Sequence, residues 1–505
     1  MNTLSRRHLL QAVLAAGCAP AWARHAMAAD LDRFGFGLAS GFPHPNGMVL
    51  WTMLTGPDLP AQVAVDWELA DDEGFQRIVA SGREWAMPAD SYSVHAEPQG
   101  LASDRWYWYR FTALGQQSIV GRTRTAPAFD APVARLRFAL ASCQRYDHGR
   151  YAAWADCAQR EHDVVFFVGD YIYENGAIAR PAGQRSHSGP RCQTLADYRA
   201  RHALYRADPL LQAAHARTPW IIIWDDHDIE NDWAGNVSEH LTEHFERQRA
   251  FAAKAYWEFL PFPKSRRPDA YNMLIHERHD WGRLARFITL DDRQYRDAQV
   301  CPKPGEGGGG TVNSKDCPAV LDRSRTLLGA AQEQWLAAQW DDNRPWNLLA
   351  QQTMMAGLNW EKDPALPEVR WTDGWDGYVG SRERVLAGLA ARHVPNAVVL
   401  GGDVHANYVC DLRERPDAPI VASEFCGTSI TSEGLKQERL DKALPYNPHI
   451  HYGRSDERGY MSFELRPGLL SAELRRVDDI WKADSSVSTA ARFVVEAGKA
   501  GPQKA

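Results

Sequence analysis

The sequence predicts a layered α/β domain preceded by a small all-β sandwich, and three observations carry that expectation. Short apolar runs rich in Val, Ile and Phe recur between segments of helical periodicity over most of the chain. The first hundred or so residues instead alternate apolar and polar positions between Gly and Pro turns. A Pro- and Ala-rich stretch, residues 125–132, separates the two regimes and reads as a linker.

Taken in order, residues 30–132 form the sandwich, with strands expected over 47–52, 63–69 and 106–111. Residues 134–477 form the layered domain, with helices expected over 241–260 and 329–340, where apolar positions recur at helical spacing. Segments 184–193 and 302–318 read as loops or insertions. Residues 478–505 read as a partly helical extension ending in a disordered tail. No internal repeat is visible.

Four of the apolar runs end directly in residues that ligate metals. Residues 137–141 lead into Ser142-Cys143-Gln144, and 164–168 into Gly169-Asp170-Tyr171-Ile172-Tyr173. Residues 221–224 lead into Asp225-Asp226-His227-Asp228, and 397–400 into Gly401-Gly402-Asp403-Val404-His405. In an open α/β sheet the carboxyl ends of the strands face one crevice. Four strands would therefore deliver a thiol, a phenol, imidazoles and several carboxylates to one metal site. In Asp170-x-x-Tyr173 the carboxylate can bridge two cations, while the phenol binds only an ion acidic enough to take its proton, as trivalent iron is. Three carboxylates within residues 225–228, after an Ile-Ile-Ile-Trp run, would be strongly destabilising without compensating charge. Asp403 and His405, two apart, project to one side of an extended segment.

The amino terminus reads as a targeting segment. Ser5-Arg6-Arg7-His8-Leu9-Leu10 is a twin-arginine pattern, followed by an apolar stretch over 9–21 and the small residues Ala26-Met27-Ala28 of a cleavage site. Residues 1–28 are therefore expected to be a twin-arginine signal peptide that engages the export machinery for folded proteins. The mature chain would be periplasmic or secreted. A lipobox-like run ending at Cys18 points, more weakly, to a lipid anchor. No later stretch has transmembrane length. The net charge of −7 argues against a nucleic-acid-binding surface. Nineteen tryptophans and a hydrophobic fraction of 44% belong to a globular chain with a large core.

Of eight cysteines, Cys18 falls in the signal and seven remain, an odd number for an exported protein. Cys301 and Cys317 flank a glycine-rich loop that a disulfide would staple. Cys410–Cys426 is a second plausible pair, and Cys157–Cys192 follows by elimination. Cys143 is left free at its strand end.

These motifs, in this order and spacing, resemble the calcineurin-like metallophosphoesterases and, more closely, PhoD-type alkaline phosphatase/phosphodiesterases. The resemblance extends to residues 290–296 and 423–429 and covers nearly the whole chain. It implies an immunoglobulin/fibronectin-like β-sandwich followed by a metallophosphoesterase β-sandwich core flanked by helices. It implies that Cys143, Asp170, Tyr173 and His405 hold a ferric ion, with Asp170 bridging. The oxygen donors Asp226 and Asp403 stand where the superfamily has Asn and His, which favours calcium in the second site. Asp225 and Asn231 would complete that shell directly or through water.

The implied chemistry is hydrolysis of phosphate mono- and diesters by metal-activated in-line attack at a binuclear Fe/Ca centre. Arg293, or with less support Arg296, would clamp the phosphoryl oxygens. His227 would stabilise or protonate the leaving oxygen. Gln351-Gln352 ends a further apolar run without an assigned role. The alternatives are the same fold with another metal pair and a narrow phospholipid or teichoic-polymer substrate, a covalent mechanism through Thr428-Ser429, or a non-catalytic surface metal-binding protein.

Overall fold

The computed structural model describes residues 32–505 apart from 182, 342 and 364; the signal read over residues 1–28 lies outside the described residues. Two large sheets pack face to face. The first has ten strands, in the order Gln503–Lys504, Val487–Glu496, Leu469–Val477, Gly459–Arg466, Leu136–Ala141, Val164–Phe167, Trp220–Ile222, Leu38–His44, Gly47–Met53 and Ser93–Ala96. The second has seven: Glu277–Trp281, Ala285–Thr289, Trp346–Ala350, Ala397–Gly401, Ile420–Cys426, Asn407–Arg413 and Ile450–Arg454.

The middle of each sheet is parallel, and those strands are mostly apolar and buried because both faces are covered. Aromatic rings fill the space between the sheets. Phe166 of the first sheet stacks on Phe287 of the second at 4.4 Å, and Phe425 meets Phe463 edge-on at 5.4 Å. Register keeps the parallel strands level: Phe167 lies opposite both Ala141 and Ile222, so three strands end together at one rim.

Helices cover the outer faces. Leu195–Arg206 starts with a capping box in which Thr194 and Asp197 satisfy each other's backbone N–H. Pro209–Arg217 starts with Asp208 as cap and Pro209 in the first turn. The helix expected over 241–260 spans Phe245–Phe259, and the one expected over 329–340 spans Gly329–Ala337. No helix among the described residues is long and apolar enough to cross a membrane.

The amino-terminal strands form a sandwich with its own core of Leu50, Val65, Leu69, Tyr109 and Phe111. One layer is a separate sheet built from Ile78–Ala86, Val63–Ala70, Trp106–Ala113, Gln116–Gln117 and Gly121–Arg124. The other layer is the end of the ten-stranded sheet, because Gly41 pairs in parallel with Trp220. The large sheet thus runs across the linker read at 125–132.

Three expectations are corrected. The segment after Asp478 is not helical: Val487–Glu496 pairs along Leu469–Val477, and Gln503–Lys504 adds a final strand. Cys410 and Cys426 are both free, because Cys410 faces Glu424 and Cys426 faces Tyr408 across the ladder. Cys157 and Cys192 are also free and buried. The Cys301–Cys317 disulfide is present, and it staples the loop that supplies the short strand Thr311–Asn313.

Candidate metal centre

The rim where the parallel strands end gathers the predicted donors. Cys143 follows Leu136–Ala141, Asp170 follows Val164–Phe167, Asp225 and Asp226 follow Trp220–Ile222, and Asp403 follows Ala397–Gly401. The turns approach each other very closely. A side chain on Gly169 would collide with Asp225, and one on Gly402 would collide with Ser142. Four of the donors sit in the left-handed backbone region: Cys143 at φ 58°, Asp170 at 59°, Asp403 at 66° and His405 at 52°. Such conformations are rare without glycine and persist only where surroundings over-determine them.

One group contains Cys143, Asp170 and His405, whose ligand atoms all lie within 4.8 Å of one another. Tyr173 joins it. Its hydroxyl donates to Asp170 Oδ2 at 2.6 Å and stands 3.0 Å from His405 Nε2. Ser432 donates to the same phenol oxygen at 2.6 Å. His405 Nδ1 donates to the Glu433 carbonyl at 2.7 Å, which leaves Nε2 with its lone pair facing the group. Burial, reinforced by Asp170, pushes both the Cys143 thiol and the Tyr173 phenol well above their ordinary pKa.

The second group is carboxylate-rich: Asp225, Asp226 and Asp403 form one cluster, and Asp170, Asp226 and His227 form another. Asp170 and Asp226 therefore connect the two halves. Burial, with the neighbouring carboxylates, raises Asp225 far above the usual range and Asp403 to about 8, against the pull of Arg293. Asp226 is also buried, yet Arg293, His227 and two backbone N–H donors hold it below the usual range. Asp225 Oδ2 is buried without any hydrogen-bond partner. An orphaned carboxylate oxygen among buried carboxylates is what a cation would satisfy. The donor sets fit two different ions, one sulfur-, nitrogen- and phenol-bound and one oxygen-bound.

Arg293 is fully buried inside this cluster. Its Nε donates to Asp225 at 2.5 Å and its Nη1 to Asp373 at 2.7 Å. Nη2 has no hydrogen-bond partner and lies 3.6 Å from Asp403 and 3.8 Å from Asp226. Arg296 donates to the Asp373 carboxylate and to the carbonyls of Asp373, Asp232 and Trp233. His227 Nδ1 pairs with Glu174 at 2.7 Å, and its ring lies 4.1 Å from that of Tyr173. Burial disfavours its charge, but Glu174, Asp226 and Asp170 outweigh that and hold it at about 10. The Asn231 backbone is tied to Glu174 at 3.2 Å in the same turn.

Some residues turn out differently from their sequence reading. Asp228, counted above among the charges at the strand end, serves the backbone: its carboxylate accepts from the N–H groups of Asp170, Tyr171, Ile172 and Asp225 at 2.8–3.1 Å. The hydroxyls of Thr428 and Ser429 are spent on the carbonyls of Glu457 and Ser432, which leaves no free nucleophile there. Gln352 bridges strands through the carbonyls of Trp224 and Leu290. Glu174, Thr353 and Asp373 carry weight that sequence reasoning missed. Glu174 follows Tyr173 directly and Thr353 follows Gln352 at a strand end, so both had a positional signal. Asp373 lies in a loop and had none.

Comparison with known proteins places this arrangement. Residues 138–474 match the family model "PhoD-like phosphatase" and residues 17–127 match "PhoD-like phosphatase, N-terminal domain". "Alkaline phosphatase D" of Bacillus subtilis (strain 168) is 39% identical over 489 residues, covering 93% of this chain and 82% of that protein. A solved structure entitled "Structure of PhoD" superposes with a TM-score of 0.87 at 38% identity, covering 94% of this chain and 92% of the other.

Proposed function

The chain belongs to the PhoD-like phosphatase family, and on that premise we propose that it is an exported alkaline phosphatase and phosphodiesterase with a mixed iron and calcium centre. Cys143, Asp170, Tyr173 and His405 would hold the ferric ion, and Asp226 and Asp403, with Asp225 and Asn231, the calcium. The observation that carries this reading is the convergence of a thiol and a phenol on Asp170 and His405. Both are pushed away from ionisation by burial, so only a strongly acidic cation would draw both protons off. The carboxylate set beside them suits a hard cation with oxygen ligands.

When bound, the cations supply Lewis acidity and neutralise charge on the phosphoryl group during attack by water. The chain's own groups do the rest. Arg293 holds Asp225 and Asp373 in place, and its unpaired Nη2 is the donor left for a phosphoryl oxygen. Glu174 orients His227 and keeps it protonated, which suits proton delivery to a departing oxygen. Thr353 donates to Asp403 Oδ2 at 2.9 Å and fixes that carboxylate. The Cys301–Cys317 disulfide supports the export reading, since such bonds persist in oxidising compartments.

Two measurements test the metal pair. Purified protein should absorb visible light through the Tyr173 phenolate, and Tyr173→Phe should be bleached; a colourless, iron-free and active enzyme would overturn the iron assignment. EGTA should abolish hydrolysis of bis(p-nitrophenyl) phosphate and calcium should restore it, whereas activity indifferent to EGTA excludes calcium.

A further inference from the structure

A cleft of about 240 Å³ opens beside the metal centre, walled by Trp360, Trp371, Trp375, Leu358, Leu435 and Val404. It shares a wall with the candidate site. Val404 lies between Asp403 and His405, and Thr353, which also lines the cleft, donates to Asp403. Thr353 thus stands between the cleft and Asp403, so a group in the cleft is one side chain away from that carboxylate.

The lining is aromatic and largely apolar, with the exposed Arg439 guanidinium as its one unpaired charge. Trp375 forms a buried floor and donates its indole N–H to Gln351 at 3.0 Å. Asp376 accepts from Arg382 and from the Leu358 backbone. The Arg439 guanidinium lies 4.6 Å over the Trp360 ring. Trp371 remains 42% exposed at the rim, which is a large apolar area to leave in water. Its strand, Val369–Trp371, is held in place by pairing with Thr311–Asn313, with Thr311 opposite Trp371, inside the loop closed by Cys301–Cys317. The wall is thus anchored on a covalent staple.

Size narrows the occupant. Pockets for whole drug-sized ligands run to roughly 300–1,000 Å³, so this one takes a single ring system and not a long acyl chain. Trp371, exposed at the rim, favours a flat π system over an aliphatic group of similar volume.

We propose that this cleft is a specificity subsite for one planar aromatic or heteroaromatic ester group of the phosphoryl substrate. The proposal rests on the phosphatase reading above, and it names a substrate class within that reading: esters whose phosphorus carries an aryl or base-like substituent.

Competitive inhibition by phosphonates isolates the subsite from bond cleavage. With p-nitrophenyl phosphate as substrate, phenylphosphonate should inhibit the full-length protein at least about tenfold more tightly than methylphosphonate, as expected for one stacked ring. Cyclohexylphosphonate, equal in bulk but not flat, should fall near methylphosphonate, and octylphosphonate should gain little. Trp371→Ala should reduce the phenyl-to-methyl ratio of inhibition constants at least threefold, or about 0.6 kcal/mol. Trp371→Phe should keep most of the ratio. Leu435→Trp, which fills the cleft from the other side, should also abolish the phenyl preference, so the result does not depend on one variant folding. Equal inhibition by phenyl- and methylphosphonate, with hydrolysis intact, would sink the subsite alone. Equal inhibition by the phenyl and cyclohexyl compounds, or strong inhibition by the octyl compound, would replace it with an aliphatic site. No hydrolysis of p-nitrophenyl phosphate and no inhibition by inorganic phosphate would remove the phosphatase reading and the subsite together.

Discussion

Asp170→Asn should lower kcat for p-nitrophenyl phosphate at least about 10³-fold and reduce the metal content of the purified protein. Asp170 is shared between the cluster with Cys143 and His405 and the cluster with Asp226 and His227. Losing partners that merely orient a ligand typically costs 10- to 100-fold, so losing a shared donor should exceed that range. The substitution is chosen to isolate charge. Asparagine has nearly the same shape and tolerates the left-handed backbone found at this position, φ 59°. Its backbone N–H can still donate to Asp228, as Asp170 does at 2.9 Å. The melting temperature of the metal-stripped variant should therefore stay near that of metal-stripped wild type. Activity within tenfold of wild type, with metal content unchanged, would contradict the shared-donor role.

Asp228→Ala should prevent accumulation of folded protein, or lower its stability by at least about 4 kcal/mol in urea titration. One carboxylate there satisfies four backbone N–H groups drawn from two neighbouring turns. Each donor left buried and unpaired costs about 1–3 kcal/mol, and a domain has only about 5–15 kcal/mol in hand. Water cannot easily replace the carboxylate, because residue 228 is fully enclosed. Asp228→Asn should be intermediate, since its amide oxygen still accepts while its NH₂ confronts other donors. A variant with wild-type stability would show that the turns hold themselves.

The two cases also show what was legible in the sequence. Short apolar runs ending in Ser-Cys, Gly-Asp or Asp-Asp marked strands and the residues gathered at their ends, because burial and chain direction are both local signals. Cys143, Asp170, Tyr173, Asp226, Asp403 and His405 were found that way, and the structure brings their ligand atoms together. Asp228 was legible as a charge but not as a clamp, because its four partners depend on how two turns cross. Cys410 and Cys426 looked pairable, but their strands are offset so that each faces a different residue; register is a non-local property. The strand Val487–Glu496 was misread although its three Val, its Thr and its Phe favour a strand. What the sequence did not show is its partner, the edge of Leu469–Val477 along which it pairs. Asp373, the partner of Arg293, had no signal, since a loop residue reaches the site only through tertiary folding.

The left-handed backbone at Cys143, Asp170, Asp403 and His405 sets a limit on how sturdy this protein can become. Glycine at any of these places would relax the chain by roughly 1 kcal/mol, yet it would remove a side chain that the proposed metal centre uses. A campaign selecting only for heat resistance would therefore be drawn to the very codons that must not change. Hardening of this scaffold has to come from elsewhere, for instance from the long surface loops, while these four corners are held fixed.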